Sequence, residues 1–182
     1  MSSQSQDFLL HYGIKGMHWG VRKTPKQSNE VLFVSGSSKT QDKQSPYYQR
    51  KLPKKVRKII KQSIKSKDTI VVGDAPGIDR QTQDYLKKKH YKNVEIYGPG
   101  IIRYSANKQW KAYPISDNLH KPDSEELRKK KDQAMTNRAT KGLAVILDNG
   151  SKATRKNIER LSSQNKQTQV YELYPRKNKK YR

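Results

Sequence analysis

The segment TIVVGDAPGIDRQTQDYLKKK (Thr69–Lys89) decides the fold. Thr69–Gly73 is a short, largely β-branched run, the pattern of a strand buried on both faces of a parallel sheet. Pro76–His90 then follows with helical spacing and turns Ile78, Tyr85 and Leu86 inward. A tight turn of Gly, Asp, Ala, Pro and Gly joins the two. Strand, small-residue turn and helix make up half of a βαβ unit.

Working outward, the same alternation recurs. VLFVSGS reads as a strand that ends in a small-residue turn. Pro53–Lys65 places Val56, Ile59, Ile60 and Ile64 at helical spacing, with Pro53 suited to a first turn. Asn93–Tyr97 is a third strand, followed by GPG (Gly98–Gly100). Residues 101–122 read as irregular, with Trp110 and Tyr113 among them. Asp123–Thr140 reads as a helix with Asp123 or Ser124 as its cap. Leu143–Leu147 is a fourth strand, Lys152–Ser163 a helix and Thr168–Leu173 a fifth strand. Strands alternating with helices predict an α/β, Rossmann-like, doubly wound fold. Its sheet would be mostly parallel and five-stranded, with helices on both faces and right-handed crossovers. The expected organisation is an N-terminal segment 1–29, a domain 30–174 and a basic tail 175–182.

The chain has 182 residues, 40 Lys+Arg against 16 Asp+Glu, and a net charge of +24. Hydrophobic residues make up only 31%. Their clustering in VLFV, TIVV, VEIY and LAVIL argues against full disorder. No apolar run approaches the roughly 20 residues of a membrane span, so no membrane partner is expected. The start lacks a basic region followed by an apolar stretch, as a secretory signal would have. No cysteine is present, which excludes a disulfide scaffold, a thiol nucleophile and Cys-ligated zinc. Eight basic residues and no acid lie in Lys51–Lys67. Lys87–Lys89, Arg128–Lys131 and the tail add more. Non-specific nucleic acid is the partner that such charge suits; solvated lysine-rich helix faces are the plain alternative.

Ligands of open parallel sheets bind outside the carboxyl ends of the strands. Four turns fall there: Ser35–Ser38, Gly73–Asp79, Gly98–Arg103 and Asp148–Thr154. Small residues let backbone N–H groups approach a phosphate at a helix N-terminus. The candidate ligand-binding residues are therefore Gly36, Ser37, Ser38, Gly73, Asp74, Gly77, Asp79, Arg103, Asn149, Gly150, Ser151 and Thr154. Gly77 is suited to a positive φ. Asp74 and Asp79 can accept hydrogen bonds from ribose hydroxyls, or serve as an N-cap and a first-turn acid respectively. Ser151 can cradle a phosphate or only cap its helix. Arg103 is a candidate anion clamp. Asp132, set among lysines, is either a salt-bridge partner or, with Asp74 and Asp79, a candidate catalytic carboxylate. The turns carry few cations themselves, so the positive charge reads as a surface property. None of the four histidines has metal-ligand spacing, and Gly-x-Ser-x-Gly is absent. No cofactor or metal is expected.

Taken together and in order, VSGS, VVGDAPGIDRQTQDYL (Val71–Leu86), KDQAM (Lys131–Met135) and LAVILDNGSKATRKNI (Leu143–Ile158) resemble the SLOG superfamily of Rossmann-like nucleotide-binding proteins. The YspA-like branch is the nearest in pattern. The resemblance spans about Val31 to Leu173. It implies a nucleotide or nucleotide-derived ligand related to ADP-ribose or NAD, and a tendency to homodimerise. LOG-like phosphoribohydrolases carry PGGxGTxxE in the fourth turn, and their glutamate falls here on Asn157. An amide cannot act as a general base, so the resemblance favours binding over LOG-type hydrolysis. A different N-glycosidic hydrolase stays open as the alternative.

HYGIKGMHWGVRK (His11–Lys23) resembles a short HxGxKGMxWGxRK segment of phage-encoded, often head-associated proteins. That likeness implies phage origin, a place in the virion or the host cytoplasm, and a head protein as partner. Gly16, Met17, Trp19, Gly20 and Arg22 would dock, with Trp19 as anchor. Packing against the protein's own domain is the alternative. A third functional reading follows from the charge: a basic head-associated protein that binds DNA.

Overall fold

The computed structural model describes residues 30–116, 124–148 and 150–175. The docking segment around Trp19, the turn residue Asn149 and most of the basic tail lie outside the described residues. Six strands form one sheet: β1 (Val31–Gly36), β2 (Thr69–Gly73), β3 (Val94–Gly98), β4 (Lys111–Pro114), β5 (Lys141–Leu147) and β6 (Thr168–Leu173). Their order is β4-β3-β2-β1-β5-β6, and every pair is parallel. The helices are α1 (Lys54–Ser66), α2 (Ile78–Lys88), α3 (Glu125–Arg138) and α4 (Lys152–Ser163).

The α/β, doubly wound expectation holds, with six strands in place of five. The additional strand, β4, falls in the stretch read as irregular. Its sequence is Lys-Ala-Tyr-Pro and all four residues are exposed. An edge strand of this kind has neither an apolar run nor an alternating pattern for sequence reading to detect. Nearby, the Trp110 indole N–H donates to the Tyr91 carbonyl oxygen at 2.9 Å, which ties the approach to β4 onto the connection between α2 and β3.

The strand order places the helices. From β1 the chain adds β2, β3 and β4 in one direction, then returns to β5 and β6 on the other side of β1. Right-handed crossovers therefore send α1 and α2 to one face and α3 and α4 to the other. Two buried clusters match. Leu32, Val34, Ile70 and Val72 pack with Val56 and Ile60 of α1 and Ile78 and Leu86 of α2. Val31, Phe33 and Val71, which alternate with them, pack with Met135 of α3, Ala139 just past its end and Leu161 of α4. The period-2 alternation of strand side chains thus supplies both layers from the same short runs.

The helix ends follow local chemistry. Ser124 caps α3, its hydroxyl accepting from the Leu127 N–H at 3.2 Å. At α1 the chain closes with Lys67 in the left-handed region, its N–H bonded to the Ile64 carbonyl at 3.2 Å. The start of α2 is set by Gly77, whose φ is +85°. A Cβ there would lie 2.3 Å from the Ser37 carbonyl oxygen. Gly36 faces Ile78 equally closely, with a Cβ position 2.5 Å from Ile78 Cγ1. The end of β1 and the first turn of α2 therefore touch without room for a side chain.

Gly77→Ala introduces both a disfavoured backbone conformation and a backbone collision. It is expected to cost about 3 kcal/mol or more. Urea unfolding checks this: the midpoint should fall while the denaturant slope stays unchanged.

Candidate functional site

The chain reverses direction between β1 and β5, and the crevice of a doubly wound sheet opens at such a switch point. A cleft of about 450 Å³ lies there. Phe33 and Met135 give it apolar contacts, and Ser35–Ser38 bring the small-residue end of β1. Ala75, Pro76 and Asp79 enter from the start of α2. Ser151, Lys152, Ala153 and Thr154 enter from the start of α4. Neither helix start has a side-chain cap hydrogen bond.

Eight of the residues expected from sequence meet here: Gly36, Ser37, Ser38, Asp79, Arg103, Asp132, Ser151 and Thr154. Four do not line the cleft but shape it. Gly77 brings α2 against β1, as above. Gly73 makes space for a carboxyl, since a Cβ there would sit 2.3 Å from Asp79 Oδ2. Gly150, at φ +139°, turns the chain into α4. Its carbonyl accepts from Arg155 Nε at 3.0 Å, and Arg155 also donates to the Leu147 carbonyl at 3.1 Å.

Asp74 is the fourth, and its place corrects the sequence reading. It is fully buried and neither caps a helix nor lines the cleft. Arg103 donates to it three times: backbone N–H to Oδ2 at 3.0 Å, Nε to Oδ2 at 3.0 Å and Nη2 to Oδ1 at 2.6 Å. This bidentate pair fixes the guanidinium at the mouth of the cleft. Asp74 is therefore a positioning group for Arg103. Ser151 likewise differs from a simple cap. It stands in the left-handed region, and its hydroxyl accepts from the Leu147 N–H at 3.1 Å.

The turns alone give two cations at this site, Arg103 and Lys152, of which only Arg103 is singled out by the sequence. The structure adds Arg128 and Lys131 from α3. Arg128, Lys131, Asp132 and Met135 stand at i, i+3, i+4 and i+7 of α3, so a single helix face delivers all four. That spacing was the available signal, and it is masked because the inward stripe of α3 is charged. Lys131 is 7% exposed and lies 3.4 Å from the Asp132 carboxylate. Asn157, also in the cleft wall, is buried; its amide donates to Ser35 Oγ at 3.2 Å and accepts from Arg160 at 2.7 Å.

Asp79 is the group most altered by its surroundings. Burial pushes its carboxyl up from 3.8 to about 7, opposed by Lys131 and the Ala75 N–H and assisted by Asp132 and Asp74. Its proton is therefore exchanged near neutrality, where a carboxyl can act as acid or base.

A family model described as "Family of unknown function (DUF7211)" matches residues 2–26. The match contains His11–Lys23, lies outside the described residues and does not reach the cleft. No curated protein matches the chain.

The raised Asp79 pKa carries a stability consequence. Both states are protonated well below pH 4, so no penalty exists there. As pH rises from about 4 to 7 the unfolded chain ionises first and the folded state loses stability, by roughly 4 kcal/mol for a shift of this size. Asp79→Asn removes that dependence. The variant's advantage in thermal unfolding should grow from pH 4 to pH 7 and level off above.

Proposed function

We propose that this protein binds a nucleotide or nucleotide-derived ligand, of the ADP-ribose or NAD type, in the cleft between β1 and β5. The observation that carries the reading is the meeting of four cations with two helix starts that lack side-chain caps, at the switch point of a parallel sheet. Arg103, Arg128 and Lys152 supply charge for phosphate oxygens, and Arg103 offers a guanidinium already oriented by Asp74. Both helix starts add favourable dipoles, and the start of α4 adds N–H groups, whereas at α2 the Gly77 and Ile78 N–H groups are held by Gln41 Oε1 and the Ser37 carbonyl. Asp79 and Asp132 supply acceptors that hydroxyls or an amine would need, and Phe33 and Met135 supply apolar contact. Phosphate, polar and apolar contacts in one cleft are the set that a nucleotide requires.

The resemblance to SLOG domains supports the same ligand class, and the six-stranded parallel sheet is compatible with it. Association with a phage head through His11–Lys23 is part of the proposal and rests on the sequence resemblance alone. LOG-type hydrolysis is disfavoured, because Asn157 is a buried amide committed to Ser35 and Arg160.

A second reading, cleavage of an N-glycosidic bond, is favoured by one observation: an Asp79 carboxyl that titrates near pH 7 in the cleft wall. Such a group could protonate a leaving base or stabilise a ribosyl cation. Mass spectrometry of NAD and nucleotide mixtures incubated with the protein separates the two readings. Product formation that disappears in Asp79→Asn supports cleavage; intact ligand supports binding.

Isothermal titration against ADP-ribose, NAD and nucleoside monophosphates tests the binding proposal. At least one should bind, and Arg103→Ala should weaken it tenfold or more. Absence of binding across the panel would overturn the proposal. Asp74→Asn should weaken binding less than Arg103→Ala, since it loosens the guanidinium without removing it.

A further inference from the structure

Two lysine-rich helices of this protein treat their charge differently. In α3, Lys129 reaches Glu125 at 2.8 Å and Lys130 reaches Glu126 at 2.7 Å, both at i,i+4. These are the neutralised, solvated pairs of an ordinary helix surface. Helix α1 reads KKVRKIIKQSIKS and contains no acid at all. Lys54 and Lys58, Arg57 and Lys61, and Lys61 and Lys65 stand four residues apart with like charge. Each such pair is mildly destabilising, and two lysines in the first turn oppose the helix dipole as well. A merely lysine-biased composition would place acids on α1 as it does on α3. The retained repulsion points to an anionic partner.

The geometry gives that partner a track. Lys54, Lys58, Lys61 and Lys65 are all exposed and recur every three or four residues, so they form one stripe on α1. Beside it, a groove of about 440 Å³ lies between this stripe and Tyr85 of α2. A second groove, of about 360 Å³, shares Arg57 and Tyr85 with the first and continues to Arg50, Lys51, Lys88 and Lys89. Asp84 is the acid in that lining, and it is hydrogen-bonded by the Tyr104 hydroxyl. This surface lies on the α1–α2 face of the sheet and shares no lining residue with the cleft.

We infer that the α1–α2 face is a nucleic-acid docking surface that holds the phosphate backbone without reading sequence. The stripe is about 16 Å long from Lys54 to Lys65, at 1.5 Å per residue. Duplex DNA carries about ten phosphates over that distance. Charge at this density, continued across two grooves, follows a polyanion rather than a single phosphate group. The surface is independent of the nucleotide reading of the cleft.

Fluorescence anisotropy with the full chain tests it, using labelled 20-base-pair duplex DNA, 20-base single-stranded DNA and 20-base RNA across a salt series. Two variants of equal net charge are compared: Lys58→Glu/Lys61→Glu on this face, and Lys129→Glu/Lys130→Glu on α3. The inference expects the first to lose tenfold or more in affinity. Its slope of log affinity against log salt should become shallower by about two. The second should remain near the parent. Lys58→Gln/Lys61→Gln should give a smaller loss in the same direction. Unchanged ADP-ribose or NAD titration by the α1 variants shows that they are folded and keeps the two sites separate; should the parent bind neither, an unchanged melting temperature serves. Equal losses in both Glu variants would assign binding to net charge or the chain ends and overturn the proposal. So would affinity for vesicles of anionic phospholipid without affinity for any of the three nucleic acids.

Discussion

The structure depends on the reversal of winding at β1. Parallel strands need a crossover, and right-handed crossovers fix the face on which each helix lies. Since β2, β3 and β4 are added on one side of β1 and β5 and β6 on the other, α1 and α2 occupy one face and α3 and α4 the opposite one. The loops after β1 and β5 must then diverge. The space between them is filled by no crossover, so it stays open as a cleft. Gly36 and Gly77 are consequences of the same constraint, because α2 has to start directly against the end of β1.

A chain that is only 31% hydrophobic can build this sheet because β1, β2 and β3 each serve two cores. Phe33 faces α3 while Leu32 and Val34 face α1 and α2. The helices then need few apolar residues each. On α3 the inward stripe is largely charged, and that economy supplies the cleft with Arg128, Lys131 and Asp132. The same lysine-rich composition that looks like a uniform surface property is therefore divided three ways: paired with glutamates on α3, turned into the cleft, and set without acids along α1.

The strands of the fold were legible wherever they were buried. Val31–Val34, Thr69–Val72, Val94–Tyr97 and Leu143–Leu147 are apolar runs because both sheet faces are covered there. Strand β4 was not legible, since Lys111–Pro114 is an exposed edge whose pairing with β3 is made by backbone groups that any sequence supplies. The site was legible in part. Gly and Ser after the strands marked its edge, because close backbone approach requires small residues. The role of Asp74 was hidden because its partner, Arg103, lies 29 positions away and meets it only through the sheet. Arg128 and Lys152 were hidden for the opposite reason: in a chain with 40 basic residues, nothing local distinguishes the cations that turn inward from those that face water.

Helix α2 links the two anion-binding surfaces proposed for this protein. Its N-terminus borders the cleft, and Lys87 and Lys88 in its last turn, with Lys89 at its C-cap, complement the negative end of its dipole beside the basic groove. Eleven residues set these ends about 16 Å apart. That is roughly twice the screening length at physiological ionic strength, so a phosphate at one end scarcely alters the potential at the other. At 0.01 M salt the screening length grows to about 30 Å, and the two surfaces share one field. A nucleic acid on the α1–α2 face would then lower the affinity of the cleft for an anionic nucleotide. Independence of anions held at the two ends of α2 is thus a property of working ionic strength as much as of the fold, and Asp79, neutral below about pH 7, keeps the cleft more positive under mildly acidic conditions.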